Sequence, residues 1–162
     1  MSVILLDLRQ APQHLPRLAA WHDAEWGHYH PGRRAGELAA QMRADYLHEA
    51  PWPLMVVAEV DGVAAGSASL VAQDMDTHPE LGPWLANVYV DAAQRGRGLG
   101  RLLVRRIMDE AARLGLAHCY LFTHDQAGFY AGLGWEALAT EDYHGEPVTL
   151  MRWRPRLAAA PR

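Results

Sequence analysis

Residues 84–100 decide the reading of this chain: Trp84-Leu85-Ala86-Asn87-Val88-Tyr89-Val90 runs through Asp91-Ala92-Ala93-Gln94 into Arg95-Gly96-Arg97-Gly98-Leu99-Gly100. The first seven residues are strongly apolar and predict a strand. Apolar residues then recur at Leu99, Leu102, Leu103, Ile107, Ala111 and Leu114, which predicts a helix over 99–114 closed by Gly115. Glycines where a helix opens let successive backbone N–H groups turn inward around an anion, and the helix dipole adds about half a positive charge at that end. A pyrophosphate fits such a turn, although an isolated Gly-x-Gly can equally serve as a strand-to-helix turn with no ligand. Two nucleotide-binding alternatives fail on spacing. A phosphate loop needs Gly-Lys-Ser/Thr, and all 15 basic residues here are arginine. The dinucleotide fingerprint wants its third glycine where Arg101 stands.

Arg95-x-x-Gly98-x-Gly100 instead resembles the Arg/Gln-x-x-Gly-x-Gly/Ala signature of the GCN5-related N-acetyltransferase (GNAT) family, in the strand-to-helix context where that family carries it. A second stretch, Ala127-Gly128-Phe129-Tyr130-Ala131-Gly132-Leu133-Gly134-Trp135, is similar to the family's later signature, with Trp135 in place of its final Phe. The resemblance covers residues 84–154 well and the first 80 residues only in the order of elements. It implies one α/β domain over 1–154, a mixed central sheet flanked by helices, and a short tail at 155–162. It also implies acetyl-CoA as cosubstrate and no metal. The backbone at Val88, Tyr89 and Val90 would bond the pantetheine arm and the thioester carbonyl. Beyond Arg95, which opens the signature, the amides of Gly96, Arg97, Gly98, Leu99, Gly100 and Arg101 would hold the pyrophosphate, with Arg97 and Arg101 adding charge.

The rest of the chain agrees in outline. Residues 3–8 read as a strand, and Pro12 and Pro16 open a helical stretch toward Trp26. A His-rich loop over 27–36 precedes helical composition at 37–48. Residues 54–60 and 63–71 form a hairpin around Asp61-Gly62, which supplies the positive φ angles of a tight turn. An acidic loop spans 73–83. Residues 118–123 predict a strand, 126–133 a short helix, and 148–153 a last strand after a Gly145-Glu146-Pro147 turn. The order β-α-α-β-β-β-α-β-α-β gives a mixed sheet with helices on its faces.

Composition narrows the function classes. A chain of 162 residues, half of them apolar, can bury a core without metal or disulfides. The net charge of -4 argues against nucleic acid as a partner. Arg105 and Arg106 have Asp109 and Glu110 four residues on, the spacing of ordinary helix-face ion pairs. The absence of lysine removes Schiff-base chemistry. One cysteine, Cys119, fits a reducing compartment, and the apolar start breaks at Asp7, far short of the ~20 residues that span a bilayer. A cytoplasmic protein away from membranes is expected. The family includes monomers and dimers, so a homodimer stays open.

Acetyl transfer to an amine needs a neutral nucleophile, donors for the developing oxyanion and an acid for the departing thiolate. Tyr130 matches the family's acid. For the base, the acidic loop offers Asp74, Asp76, His78 and Glu80; Glu80, four residues before Trp84, is the first choice and Asp74 the second. The strand before the second signature carries Leu121-Phe122-Thr123 where some members have a glutamate. His28-x-His30 lacks further ligands at metal spacing. Some of the six tryptophans, among them Trp21, Trp26, Trp52 and Trp84, are expected to line the acceptor site. The expected function is direct transfer from acetyl-CoA to an amine acceptor, a cationic small molecule. A silent acyl-CoA-binding module and an acetyltransferase acting on a protein N-terminus or lysine are the alternatives.

Overall fold

A computed structural model describes residues 2–156. Of the tail expected at 155–162, residues 157–162 lie outside the described residues. Strand β1 (Val3–Asp7) leads through two 3-10 turns into α1 (Leu15–Trp26) and α2 (Glu37–Tyr46). The β2 (Leu54–Val60) and β3 (Val63–Val71) hairpin follows, then β4 (Trp84–Val90), α3 (Leu99–Arg113), β5 (Cys119–Thr123), α4 (Ala127–Ala131), β6 (Glu136–Tyr143) and β7 (Glu146–Trp153). The seven strands form one sheet in the order β1-β2-β3-β4-β5-β7-β6.

The hairpin turn is as expected: Asp61 and Gly62 both take positive φ, 52° and 84°, the twist that suits a two-residue loop. Alternate residues of β2 then face opposite layers. Leu54, Val56 and Ala58 pack with Leu103 and Ile107 of α3, while Met55 and Val57 pack with Leu15 and Leu18 of α1 and Met42 of α2. Both faces are buried, which is why β2 and β3 read as near-continuous apolar runs.

Two expectations need correction. Strand β6 was not expected, because it is a sheet edge whose residues 136–141 are almost all exposed and carry no apolar alternation. The turn before β7 is His144-Gly145, with φ of 51° and 82°, and not Gly145-Glu146-Pro147; Glu146 and Pro147 already pair with Tyr143 and Asp142.

What positions the site is the behaviour of β4. Ser67 pairs with Tyr89 and Ser69 with Ala86, so Asn87 and Val88 together oppose Ala68 in a β-bulge. Asn87 takes a φ of 55°, where asparagine is among the few tolerated side chains. On its other edge β4 meets β5 in parallel at Trp84↔Tyr120 alone. Beyond that pair the two strands separate, and the edge of β4 from Leu85 onward faces a cleft.

Candidate active site

The glycine turn stands at the far end of β4. Asp91 N–H donates to Ala65 O at 2.8 Å, a 3-10 turn covers Ala92–Gln94, and α3 begins at Leu99. Gly96 and Gly98 have φ of 80° and 79°, left-handed values that cost an ordinary residue about 1–2 kcal/mol. A Cβ on either would meet nothing within 4 Å, so the amides ahead of α3 border open space. Gly100 differs: its Cβ would lie 3.8 Å from Val90 Cγ2 and 4.0 Å from Phe129 Cζ, ordinary contact. Arg95 Nε donates to Val90 O at 3.0 Å, and Arg97 Nη1 to Gln94 Oε1 at 3.2 Å; Arg101 is exposed. Open space, left-handed glycines and a helix N-terminus together fit a pyrophosphate.

Between the parted strands lies a cavity of about 400 Å³, walled by Asn87 and Val88 of β4, Leu121 and Thr123 of β5, and Tyr130 of α4. The Tyr130 ring is held edge-on by Phe129 and Trp135, with centroids 5.0 and 6.3 Å away. Among the described residues its hydroxyl has no hydrogen-bond partner, and burial pushes its pKa up to about 12. It is therefore a protonated donor across the neutral range.

The acidic loop divides at Met75. That side chain is 1% exposed and anchored beside Trp84 and Tyr143, so the loop is pinned at its middle. On one side of the anchor Asp74 turns toward the cleft and lines both this cavity and a second one of about 400 Å³ under α1 and α2. The residue keeps open surface, yet the protein gathered around its carboxylate desolvates it and pushes its pKa up to about 7. On the other side the chain runs outward. Glu80 Oε1 accepts from His78 Nδ1 at 3.0 Å, which holds its carboxyl below the usual range, and His78 Nε2 sits 2.5 Å from Glu141 Oε1. Glu80 lines neither cavity. The expected first choice for the base thus lies outside both cavities, tied to His78, and the second choice lines them. Asp76 also lines the first cavity but is engaged, with Oδ2 2.8 Å from His144 Nε2.

Several cleft residues had gone unnoticed in the sequence. Asn87 Nδ2 donates to Ser69 Oγ at 2.9 Å and to Tyr46 Oη at 3.3 Å, and its carbonyl accepts from Ser67 Oγ at 2.9 Å, fixing the bulge. Ser67 Oγ also lies 2.9 Å from Nε2 of buried His22, whose pKa burial lowers to about 4. An asparagine inside an apolar strand was the one signal available. Of the tryptophans, Trp26 lines both cavities, Trp21 stacks on Tyr89 at 5.3 Å, Trp84 is fully buried and Trp52 packs on the core. His28 and His30 part company, His28 Nε2 lying 3.5 Å from Glu146 Oε1 while His30 lines both cavities. On α3, Arg106 Nε meets Glu110 Oε1 at 3.0 Å, and Glu110 also pairs with Arg113; Arg105 makes no ion pair among the described residues. Among those residues, too, no helix is long and apolar enough to cross a membrane.

Comparison with curated protein sequences returns no match. Solved structures are similar along nearly the whole chain. A GCN5-related N-acetyltransferase from Kribbella flavida superposes with a TM-score of 0.71 at 20% identity, covering 94% of this chain and 98% of that one. The acetyltransferase of the GNAT family from Streptococcus pneumoniae gives 0.70 at 16% identity over 94% and 99%. The yncA structure from Salmonella typhimurium, with its cofactor acetyl-CoA, gives 0.68 at 22% identity over 100% and 99%. Those likenesses establish the fold. The sequence profile of the acetyltransferase (GNAT) family matches residues 15–135, a span that includes the bulged strand, the glycine turn and Tyr130, and this chain belongs to that family.

Proposed function

We propose that this chain is an N-acetyltransferase that moves the acetyl group of acetyl-CoA directly to the amine of a cationic small molecule, with both substrates bound together. One observation carries the reading: the unpaired edge of β4, the unbonded Tyr130 hydroxyl and the desolvated Asp74 carboxyl border one cavity, and β4 runs on from it into the open glycine turn.

When bound, acetyl-CoA supplies a thioester whose carbonyl carbon an amine can attack. The amides from Gly96 to Arg101 hold the pyrophosphate, and Arg97 and Arg101 add charge at the exposed rim. The backbone of Val88, Tyr89 and Val90, free of a strand neighbour on the cleft side, holds the pantetheine arm and the thioester carbonyl. Asp74 takes the proton from the acceptor's ammonium. A carboxylate with a pKa near 7 is matched to that task at neutral pH, where an ordinary carboxylate is too weak a base. Tyr130 Oη gives a proton to the departing thiolate, its phenol being fully protonated at that pH. The acceptor is read as cationic because, among the described residues, the first cavity is lined by Glu25, Asp74, Asp76 and Asp125 and by no arginine. A cytoplasmic site of action rests on Cys119, a buried thiol in a chain with no second cysteine.

Two measurements test this. Saturating acetyl-CoA should raise the melting temperature, since a ligand bound only by the native state adds about 2.7 kcal/mol at one hundred times its dissociation constant. Coenzyme A thiol should then be released when amines, aminoglycosides, amino acids or peptides are added. A melting curve that acetyl-CoA leaves in place overturns the cosubstrate assignment. Binding without thiol release for any amine overturns the enzyme and leaves a silent acyl-CoA module.

A further inference from the structure

Three segments far apart in sequence meet at one side of the first cavity. Tyr29, in the 3-10 turn after α1, donates its hydroxyl to Glu146 Oε2 at 2.5 Å. His124, in the loop after β5, brings Nε2 to 2.5 Å from the same oxygen and to 2.8 Å from Tyr29 Oη. His28 Nε2 approaches the other Glu146 oxygen at 3.5 Å. The Tyr29 ring packs against Tyr143 and His144 of the β6–β7 hairpin, with centroids 6.0 and 5.8 Å away. Tyr29 and His124 both line the cavity, so the bond between them joins two of its walls.

We infer that Tyr29, His124 and Glu146 form a clasp that closes this side of the acceptor cleft and determines its specificity, admitting small amines and excluding acceptors attached to a bulky chain. The inference rests on the acetyltransferase reading above and adds the size limit and the residues that impose it. Glu146 is the keystone: one carboxylate oxygen receives the phenol and stands against the imidazole, so the two walls share one acceptor and an outward move of either exchanges that contact for water. The volume agrees. At about 400 Å³ the cavity lies at the low end of the roughly 300–1,000 Å³ usual for small-molecule sites, with part of that space taken by the thioester end of the cosubstrate. A lysine presented by a folded protein would have to enter the first cavity beside the joined side chains of Tyr29 and His124.

The test compares the wild-type chain with Tyr29→Ala and Glu146→Gln. Coenzyme A thiol release is measured with ethanolamine, glucosamine and a lysine-containing peptide, and hydrogen exchange is followed at the amides of residues 27–30. The wild-type chain should prefer the small amines. Both variants should raise the peptide-to-ethanolamine ratio of kcat/KM by about tenfold, the scale on which pocket shape discriminates, while leaving the KM for acetyl-CoA in place. Exchange at 27–30 should speed up in both. The clasp is overturned by a wild-type chain that takes the peptide as readily as ethanolamine, by an unchanged ratio in both variants, or by equal exchange in all three proteins. If no amine releases thiol from any of them, the acetyltransferase reading fails. Exchange then judges the clasp alone: protection lost in the variants keeps it as the closure of the cavity, and protection missing in the wild type removes it.

Discussion

The two walls of the cleft are made in opposite ways. On the side proposed for the cofactor, one contiguous stretch, 84–101, supplies a bulged strand, a glycine turn and a helix start, and the contacts proposed for it are main-chain ones. On the side proposed for the acceptor, side chains arrive from separate segments: Asp74 from the β3–β4 loop, Tyr130 from α4, and the proposed clasp, whose partners are 95 and 117 residues apart. A wall of backbone has to be encoded locally, because left-handed φ angles demand glycine at fixed places. A wall of side chains needs only that distant residues converge, which leaves no spacing to read.

That contrast can be broken most forcefully at Asp74. Asp74→Asn should lower turnover by about 10³-fold, mid-range for a positioned base, and leave acetyl-CoA affinity intact. In the wild type the rate should rise with pH through about 7 as the carboxyl ionises, and this limb should flatten in the variant. Glu80→Gln, on the outer arm of the loop, should keep the wild-type profile; a flattened profile there would return the base role to Glu80. Stability gives a second check. The folded carboxyl holds its proton up to about 7, against an ordinary value of 3.8 for the unfolded chain, so wild-type stability falls as pH rises through that window. The gain in melting temperature from Asp74→Asn should therefore be small at pH 4 and complete above pH 7.

Tyr130→Phe comes next. It keeps the ring between Phe129 and Trp135 and removes the donor, so turnover should fall by about 10²-fold with folding and cofactor affinity little changed. Undiminished turnover would make Tyr130 a packing residue and leave the acceptor side with no acid.

The cofactor wall should respond in binding. Gly98→Ala puts a side chain at a φ of 79°, so the free turn relaxes and acetyl-CoA binding must restore it, weakening affinity by up to about tenfold for the 1–2 kcal/mol left-handed penalty. Gly100→Ala should do less, because its Cβ meets Val90 and Phe129 at contact distance. Titrations that rank the two the other way would place the critical close approach at Gly100. Smallest of all is Arg105→Ala. It removes an exposed charge that pairs with nothing among the described residues and should shift affinity and stability by under about 0.5 kcal/mol.

Legibility followed the same division. The β2–β3 hairpin was readable because Asp61-Gly62 and two apolar runs are local facts, and α3 because its apolar stripe repeats at helical spacing. Strand β6 was not, since an edge strand buries almost nothing and its residues need no alternation. The loop carboxylates were visible as a group, yet which of them lines the cavities was not. Nothing in Asp74-Met75-Asp76 announces that Met75 is a core residue.

By itself the sequence determined the α/β order of elements, the glycine turn and the tyrosine of the second signature. Each is enforced within a few residues by backbone sterics or helical periodicity. Only the tertiary structure decided that β4 parts from β5 after one pair, that burial lifts Asp74 to near neutrality while Glu80 stays on the outside, and that Tyr29 meets His124 and Glu146 over the cleft. Those outcomes depend on desolvation and on contacts between segments brought together by the shared core, and such quantities exist only once the chain has folded.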